Sequence, residues 1–318
     1  MSHPRPSTGE FGLIDWIRRQ ESERAIDSWT RVGIGDDCAI LAVGEGTGAG
    51  SDLLITTDML MDGRHFHLDP DGAEGVGYKA MGVNLSDIAA MAGIPRAAVV
   101  AIALPRGTAV AVAHGLHAGL RRLADRFSVD IVGGDTNAWD GPLVLSVTVL
   151  GESVGRGVVR RSGAKPGDVI FVTGPLGGSL LGRHLSPKPR IAEALALNAA
   201  APLHALIDVS DGLAADLNHI LEESGNLGAV LDEWAVPIHP DVDSSDGRPA
   251  LEHALGDGED FELIVVMDPA DADRLERKPP APALLHRIGR IVREPGICIK
   301  TRRGALIPIE PTGFDHLK

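Results

Sequence analysis

The chain has 318 residues, with 30 Lys+Arg against 44 Asp+Glu, a formal charge of −14, and only two cysteines, Cys38 and Cys298. At roughly 100–200 residues per domain that length predicts two domains, and the acidic balance argues against nucleic acid and anionic membrane surfaces, which are first met by a basic patch. Two cysteines exclude a disulfide framework, a Cys-rich zinc site and an iron–sulfur cluster. No apolar run approaches the roughly 20 residues of a spanning helix, so a cytoplasmic protein with no membrane partner is expected.

Strand-like and helix-like segments alternate along the chain. Residues 53–57 (LLITT) predict a strand, 75–92 a helix, 98–104 (AVVAIAL) a buried strand, 109–127 a helix and 129–132 a strand. Residues 143–152 (LVLSVTVLGE) alternate well enough for a long strand, which completes a first α/β unit. The stretch 154–167 is rich in Gly and basic residues, so the domain boundary is placed near residue 152, giving domains 1–152 and 153–318. The second unit is predicted as strand 169–173, turn 174–179, a helical segment opening at 187–190, strand 205–209 and helix 212–223. Strand 261–267, helix 270–277 and strand 285–292 follow, with 241–249 a polar loop.

Carboxylates fall in informative places. They occur in GIGDD (33–37), after strand LLI in TTD (56–58), in NLSD (84–87), in GGDTN (133–137), in DVSDG (208–212) and in GED (258–260). Ligands of α/β proteins bind at the ends of strands. Each segment also has a plain structural reading: Ser210 and Asp211 as helix caps, GGD and GED as turns. Asp87 is harder to dismiss, because a carboxylate on an apolar helix face costs several kcal/mol unless it is paired or bound to metal. Together the six segments predict one shared site whose repulsion calls for cations. Hard oxygen ligands point to several Mg²⁺ ions and hence to a polyphosphate. No P-loop, kinase-type signature or Rossmann fingerprint is present. The GPLGGS turn at 174–179 is only a weak anion-site candidate.

The segments GIGDDCAIL, TTDMLMDGRHF, YKAMGVNLSDIAAMAG, GGDTN, RSGAKPGD, IDVSDGLAADL and GEDFEL occur in an order that resembles the thiamine-monophosphate kinase family. That family lies within the aminoimidazole-ribonucleotide-synthetase-like superfamily of ATP-using proteins. The resemblance runs from about Gly12 to the GFDH at 313–316. It implies an α/β plus α+β, two-domain fold in which the N-terminal domain forms a β-barrel across a homodimer. It also implies the reaction: ATP and thiamine monophosphate give ADP and thiamine diphosphate. By position, Asp37, Thr57, Asp58, Asp87, Asp135, Asp208 and Asp211 match residues that hold Mg²⁺ directly or through water. Thr56, Gly134, Arg161 and Ser210 match ATP contacts, and His65, Glu259 and Phe314 match contacts to thiamine phosphate. Asp208, Asp211 and Arg161 are the residues implied for catalysis, and K⁺ is a candidate additional cation. Asp62 and Arg64 change the usual surroundings of His65, and Pro311 stands where relatives commonly have an aromatic.

The acceptor's phosphate oxygen is already anionic near neutral pH, so no strong general base is required. Alignment and charge neutralisation carry the rate, and direct in-line transfer without a phospho-enzyme is expected. Two alternatives remain at this stage. One is another ATP-using enzyme of the same superfamily. Against it, selenophosphate synthetase needs a reactive Cys or selenocysteine in a Gly-rich segment, and the hydrogenase maturation protein needs a C-terminal Cys where this chain reads His316-Leu317-Lys318. The other is a catalytically silent nucleotide-binding sensor, against which the full acidic set argues.

Overall fold

The computed structural model describes residues 10–22, 30–43, 52–108 and 110–311. After helix α1 (Glu10–Ser22) comes a six-stranded sheet. Its strands are β1 (Thr30–Val32), β2 (Ala39–Ala42), β3 (Asp52–Met61), β4 (Gly93–Pro105), β5 (Asp130–Trp139) and β6 (Val144–Ser153). Their order is β1-β2-β3-β6-β4-β5, and only β4 and β5 pair in parallel. On β6 every second residue is fully buried, which is the period-2 pattern of a sheet with one covered face.

The covering layer is α3 (Ala73–Ala90), which follows the four-residue α2 (Leu68–Asp71), packed against α4 (Val110–Arg126). Helix α3 is apolar almost all round and buried on nearly every side, as expected of a helix enclosed within a fold. On its far side lies the second unit. There a seven-stranded sheet runs β13-β12-β9-β11-β7-β10-β8. It is built from β7 (Val169–Val172), β8 (Leu203–Asp208), β9 (Gly228–Asp232), β10 (Leu263–Met267), β11 (His286–Val292), β12 (Gly296–Lys300) and β13 (Leu306–Ile309). Only β9 and β12 pair in parallel.

One face of the second sheet joins α3, α5 (Ile191–Ala200) and α8 (Pro269–Arg277) in a core continuous with that of the first sheet. The other face packs on α6 (Leu213–Glu223) and α7 (Ala250–Gly256). Helix α6 stops as its sequence directs, with Gly225 left-handed after the Ser224 cap; Leu227 N–H closes back on Leu221 O.

Two predicted features differ. Residues 133–137 do not follow a strand as a turn: they lie inside β5, held by parallel pairing from Ala97↔Asp130 to Pro105↔Trp139. Tertiary pairing here overrides the turn preference of Gly-Gly-Asp. Helix α6 begins at Leu213 with Gly212 as its cap residue, and neither Ser210 nor Asp211 caps it. Instead the Ser210, Asp211 and Gly212 N–H groups all donate to Asp216 Oδ2, at 3.0, 3.1 and 3.1 Å.

Candidate active site

Between the two units opens a cleft of about 710 Å³. The first unit brings Thr56 and Asp58 from β3, together with Lys79, Val83 and Asp87, which fall on one face of α3 at i, i+4 and i+8. The second brings Asp208, Ser210 and Asp211 at the end of β8, and Asp257 and Glu259 before β10.

At its centre, carboxylate oxygens of Asp37, Asp87 and Asp208 all lie within 4.8 Å of one another. Their orientation is imposed by neighbours. The Thr56 hydroxyl donates to Asp87, and the Ser86 hydroxyl donates to Asp208 from across the inter-unit seam. Asn84 accepts the Asp58 N–H at 3.1 Å, where β3 has outrun its partner β2. Asn84 also donates to Ala80 O at 3.0 Å. The NLSD segment is therefore a platform: Asn84 fixes β3, Ser86 fixes Asp208, and Asp87 enters the cluster itself.

Arg161 closes one side. Its guanidinium donates to Asp37 Oδ1 at 2.6 Å, and its backbone N–H reaches Asp36 Oδ1 at 3.2 Å. Burial, and then the neighbouring Asp37 charge, push the Asp36 carboxyl up to about 6. The same two causes push Asp208 up to about 7. Burial and the charges of Asp58, Asp208 and Asp37 hold Asp87 well above the usual carboxylate range. His219, on α6 at the cleft wall, is pushed down to about 4 by burial and by Arg161, so it is neutral at pH 7.

His65 and Glu259 line another part of the cleft, joined through Lys79. His65 Nδ1 accepts the Met61 N–H at 3.0 Å, which leaves the ring proton on Nε2. Glu259 sits in a turn with three left-handed residues, Gly258 (φ 73), Glu259 (φ 53) and Phe261 (φ 52). Such backbone is costly for non-Gly residues and concentrates at functional sites. At Gly258 a Cβ would stand 2.7 Å from Ser210 O, so a side chain is barred by contact as well as by φ. The turn is held by Glu259 N–H to Ser210 O (2.7 Å) and by the Ser179 hydroxyl to Glu259 O (2.6 Å).

Of the residues singled out from sequence, Asp37, Thr56, Asp58, His65, Asp87, Arg161, Asp208, Ser210, Asp211 and Glu259 border this one cleft. Thr57 borders it too, but its hydroxyl donates to Val147 O at 3.2 Å across the sheet. Strand alternation explains this, since Thr57 is exposed between the more buried Thr56 and Asp58. Gly134 and Asp135 lie on the exposed edge strand β5, outside the cleft of their own chain. Phe314 lies outside the described residues.

Sequence reasoning missed Lys79, Ser86, Asp216 and His219. A lone lysine eight residues before Asp87 on an apolar helix was a readable signal for the first; the others depend on contacts between distant segments.

The donor set suits Mg²⁺. All three central ligands are hard carboxylate oxygens, their mutual repulsion demands a cation, and Asp37 Oδ2 is a buried oxygen with no hydrogen-bond partner.

The "AIR synthase related protein" N-terminal domain family matches residues 35–153, and the corresponding C-terminal domain family matches 165–300. A Rhodopirellula baltica thiamine-monophosphate kinase is 40% identical over 292 residues, spanning 90% of this chain and 91% of the relative. The Escherichia coli K12 enzyme of the same name is 36% identical over 340 residues, spanning 97% and 98%. Among solved structures, AaThiL complexed with AMPPCP and TMP superposes with a TM-score of 0.82 at 29% identity, covering 99% of both chains. With its two mixed sheets, its cleft of converging carboxylates and this extent of similarity, the chain belongs to the thiamine-monophosphate kinase family of AIR synthase related proteins.

Proposed function

We propose that this chain transfers the γ-phosphoryl group of ATP to thiamine monophosphate, yielding ADP and thiamine diphosphate for thiamine diphosphate biosynthesis. The observation that carries the reading is the convergence of Asp37, Asp87 and Asp208 from three segments of the chain, in the wall of a cleft of about 710 Å³ between the two units. The named relatives and the complex with AMPPCP and TMP support the substrate assignment.

Asp37, Asp87 and Asp208, with Asp58 whose charge acts on Asp87, would hold Mg²⁺, and Asp211, grouped with Asp216 and His219, would serve a further ion; such cations would neutralise the triphosphate charge that repels an anionic acceptor. The protein's own part is positional. Arg161, braced by Asp36 and Asp37, presents a fixed cation to the phosphates. Thr56 and Ser210 are the further cleft residues assigned to the nucleotide. His65 offers an Nε2–H donor, and Glu259 offers a carboxylate suited to the cationic acceptor. The Ser86 hydroxyl is committed to Asp208, and burial holds the Cys38 thiol well above its ordinary value, so neither is a ready nucleophile, which supports direct in-line transfer from donor to acceptor oxygen.

We extend the reading to the assembly. Among the described residues no helix covers the outer face of the first sheet, which exposes Met59, Met61 and Val99. A second copy against that face, closing a barrel between the two sheets, is the arrangement by which Gly134 and Asp135 would meet a cleft. The boundary near residue 152 is consistent with this division between a dimerising domain and a C-terminal domain.

The test is incubation of the purified chain with Mg-ATP and, separately, thiamine, thiamine monophosphate or buffer, with products resolved by chromatography. Thiamine diphosphate formed only from the monophosphate, together with ADP, is expected. ATP consumption that is indifferent to the acceptor would refute the assignment.

A further inference from the structure

Lys79 is the one charged side chain of α3 that is wholly buried, with 1% of it exposed. Its ammonium donates to Glu259 Oε2 at 2.5 Å and to the backbone carbonyl of His65 at 2.6 Å. These partners come from different units: His65 follows the end of β3, and Glu259 belongs to the left-handed turn before β10. A buried ammonium is costly unless it is fully hydrogen-bonded and paired, so α3 has an energetic reason to hold both partners at fixed distance. The backbone and Ser179 hydrogen bonds of these two segments hold each within its own unit, and the Lys79 contacts join one to the other. The Glu259 turn is conformationally strained, and the His65 segment is a short reversal closed by Gly63 N–H to Phe66 O (2.8 Å) and His65 N–H to Met61 O (3.0 Å).

We infer that Lys79 is a positioning residue for the acceptor: it ties the His65 turn of the first unit to the Glu259 turn of the second and so sets the span of the acceptor end of the cleft. This rests on the functional reading above, and it adds a residue that reaches the acceptor only through others. The nucleotide end is braced separately by the Asp36–Asp37–Arg161 contacts. Loss of Lys79 therefore acts on acceptor binding more than on transfer.

The experiment uses the full chain and the variants Lys79→Met, Lys79→Gln and Glu259→Gln, and the double variant Lys79→Met/Glu259→Gln. In steady-state kinetics the KM for thiamine monophosphate should rise about tenfold in Lys79→Met, while kcat and the KM for ATP change by less than about threefold. In the Glu259→Gln background the ion pair is gone while the Lys79 hydrogen bond to His65 O remains, so Lys79→Met should add clearly less than its effect in the unaltered chain. Amide hydrogen exchange should quicken in both segments 61–66 and 258–261. Lys79→Gln, which keeps a donor for the His65 carbonyl, should protect 61–66 more than Lys79→Met does.

A fall in kcat with an unchanged acceptor KM, an equal rise in the KM for ATP, or additive effects in the double variant would overturn the inference. If the unaltered chain makes no thiamine diphosphate, the functional reading fails by itself. Hydrogen exchange then decides on Lys79 alone: coupled loosening of both turns sustains it as the tie, and protection unchanged in either turn removes it.

Discussion

Asp36 and Asp208 are carboxyls whose folded state favours the proton, with pKa values raised to about 6 and about 7 from an ordinary 3.8. Their contribution to stability is therefore complete below the unfolded value and is lost as the pH rises through 6 to 7. Chelator-treated protein should lose melting temperature between about pH 4 and about pH 7, and Mg²⁺ should flatten the slope, because a bound cation stabilises the ionised forms. Thermal unfolding followed by circular dichroism, with Asp208→Asn as the comparison, checks this. The variant should show a shallower slope, and an identical slope would mean that Asp208 is not under strain. At this scale much of the site was legible: acids beside glycines at strand ends, all but the GGD of β5, and Asp87 on an apolar helix fall in the cleft. Lys79–Glu259 and Ser86–Asp208 were not legible, because their partners are 180 and 122 residues apart in the chain and no local pattern encodes such pairs.

Among the elements, α3 does most to position the site, and its own placement depends on close approach to α4. A Cβ at Gly119 would stand 2.0 Å from Glu74 O and 2.6 Å from Tyr78 N, and one at Gly77 would stand 2.1 Å from Leu116 O. Backbone cannot yield as a flexible side chain can, so Gly119→Ala must spread the two helices. We expect a loss of about 1–3 kcal/mol in urea unfolding. A reduced kcat should accompany it, since α3 carries Asp87, Ser86 and Asn84 together. An unchanged denaturation midpoint would show that the helices do not depend on that contact. Strand β6 was readable from its alternation. Most of β5 was hidden, because Gly-Gly-Asp has the composition of a turn and only pairing with β4 draws it into the sheet. Strands β9 (GAVLD), β12 (GICIK) and β13 (LIPI) are short and broken or bounded by Gly, Asp, Lys or Pro, so unlike the all-apolar β7 and β10 they do not stand out from loop.

At the scale of the molecule, the first sheet is half-covered among the described residues: α3 and α4 bury one face, and the other carries exposed apolar side chains. Met59 is 58% exposed there and Val99 36%, an apolar face of the kind that marks an interaction surface. We expect sedimentation to give a particle of twice the 33.4 kDa chain, and Met59→Asp/Val99→Asp to shift it towards the monomer. A monomer in the unaltered protein at micromolar concentration would refute the dimer. The two units also share one core through α3 and α5, so the cleft is framed by packed elements and its carboxylates are held in place before substrate arrives. Such preorganisation is what phosphoryl transfer draws on, since the protein's task is alignment and charge neutralisation.

The most direct measurement is the stoichiometry of ADP and thiamine diphosphate formed from Mg-ATP and thiamine monophosphate by the unaltered chain and by Asp208→Asn, with folding of both confirmed by thermal melting. Equal amounts of the two products, abolished by chelation and reduced about 10²–10³-fold or more in the variant, are the predicted result. Full activity in Asp208→Asn, or ADP released without thiamine diphosphate, would contradict the account.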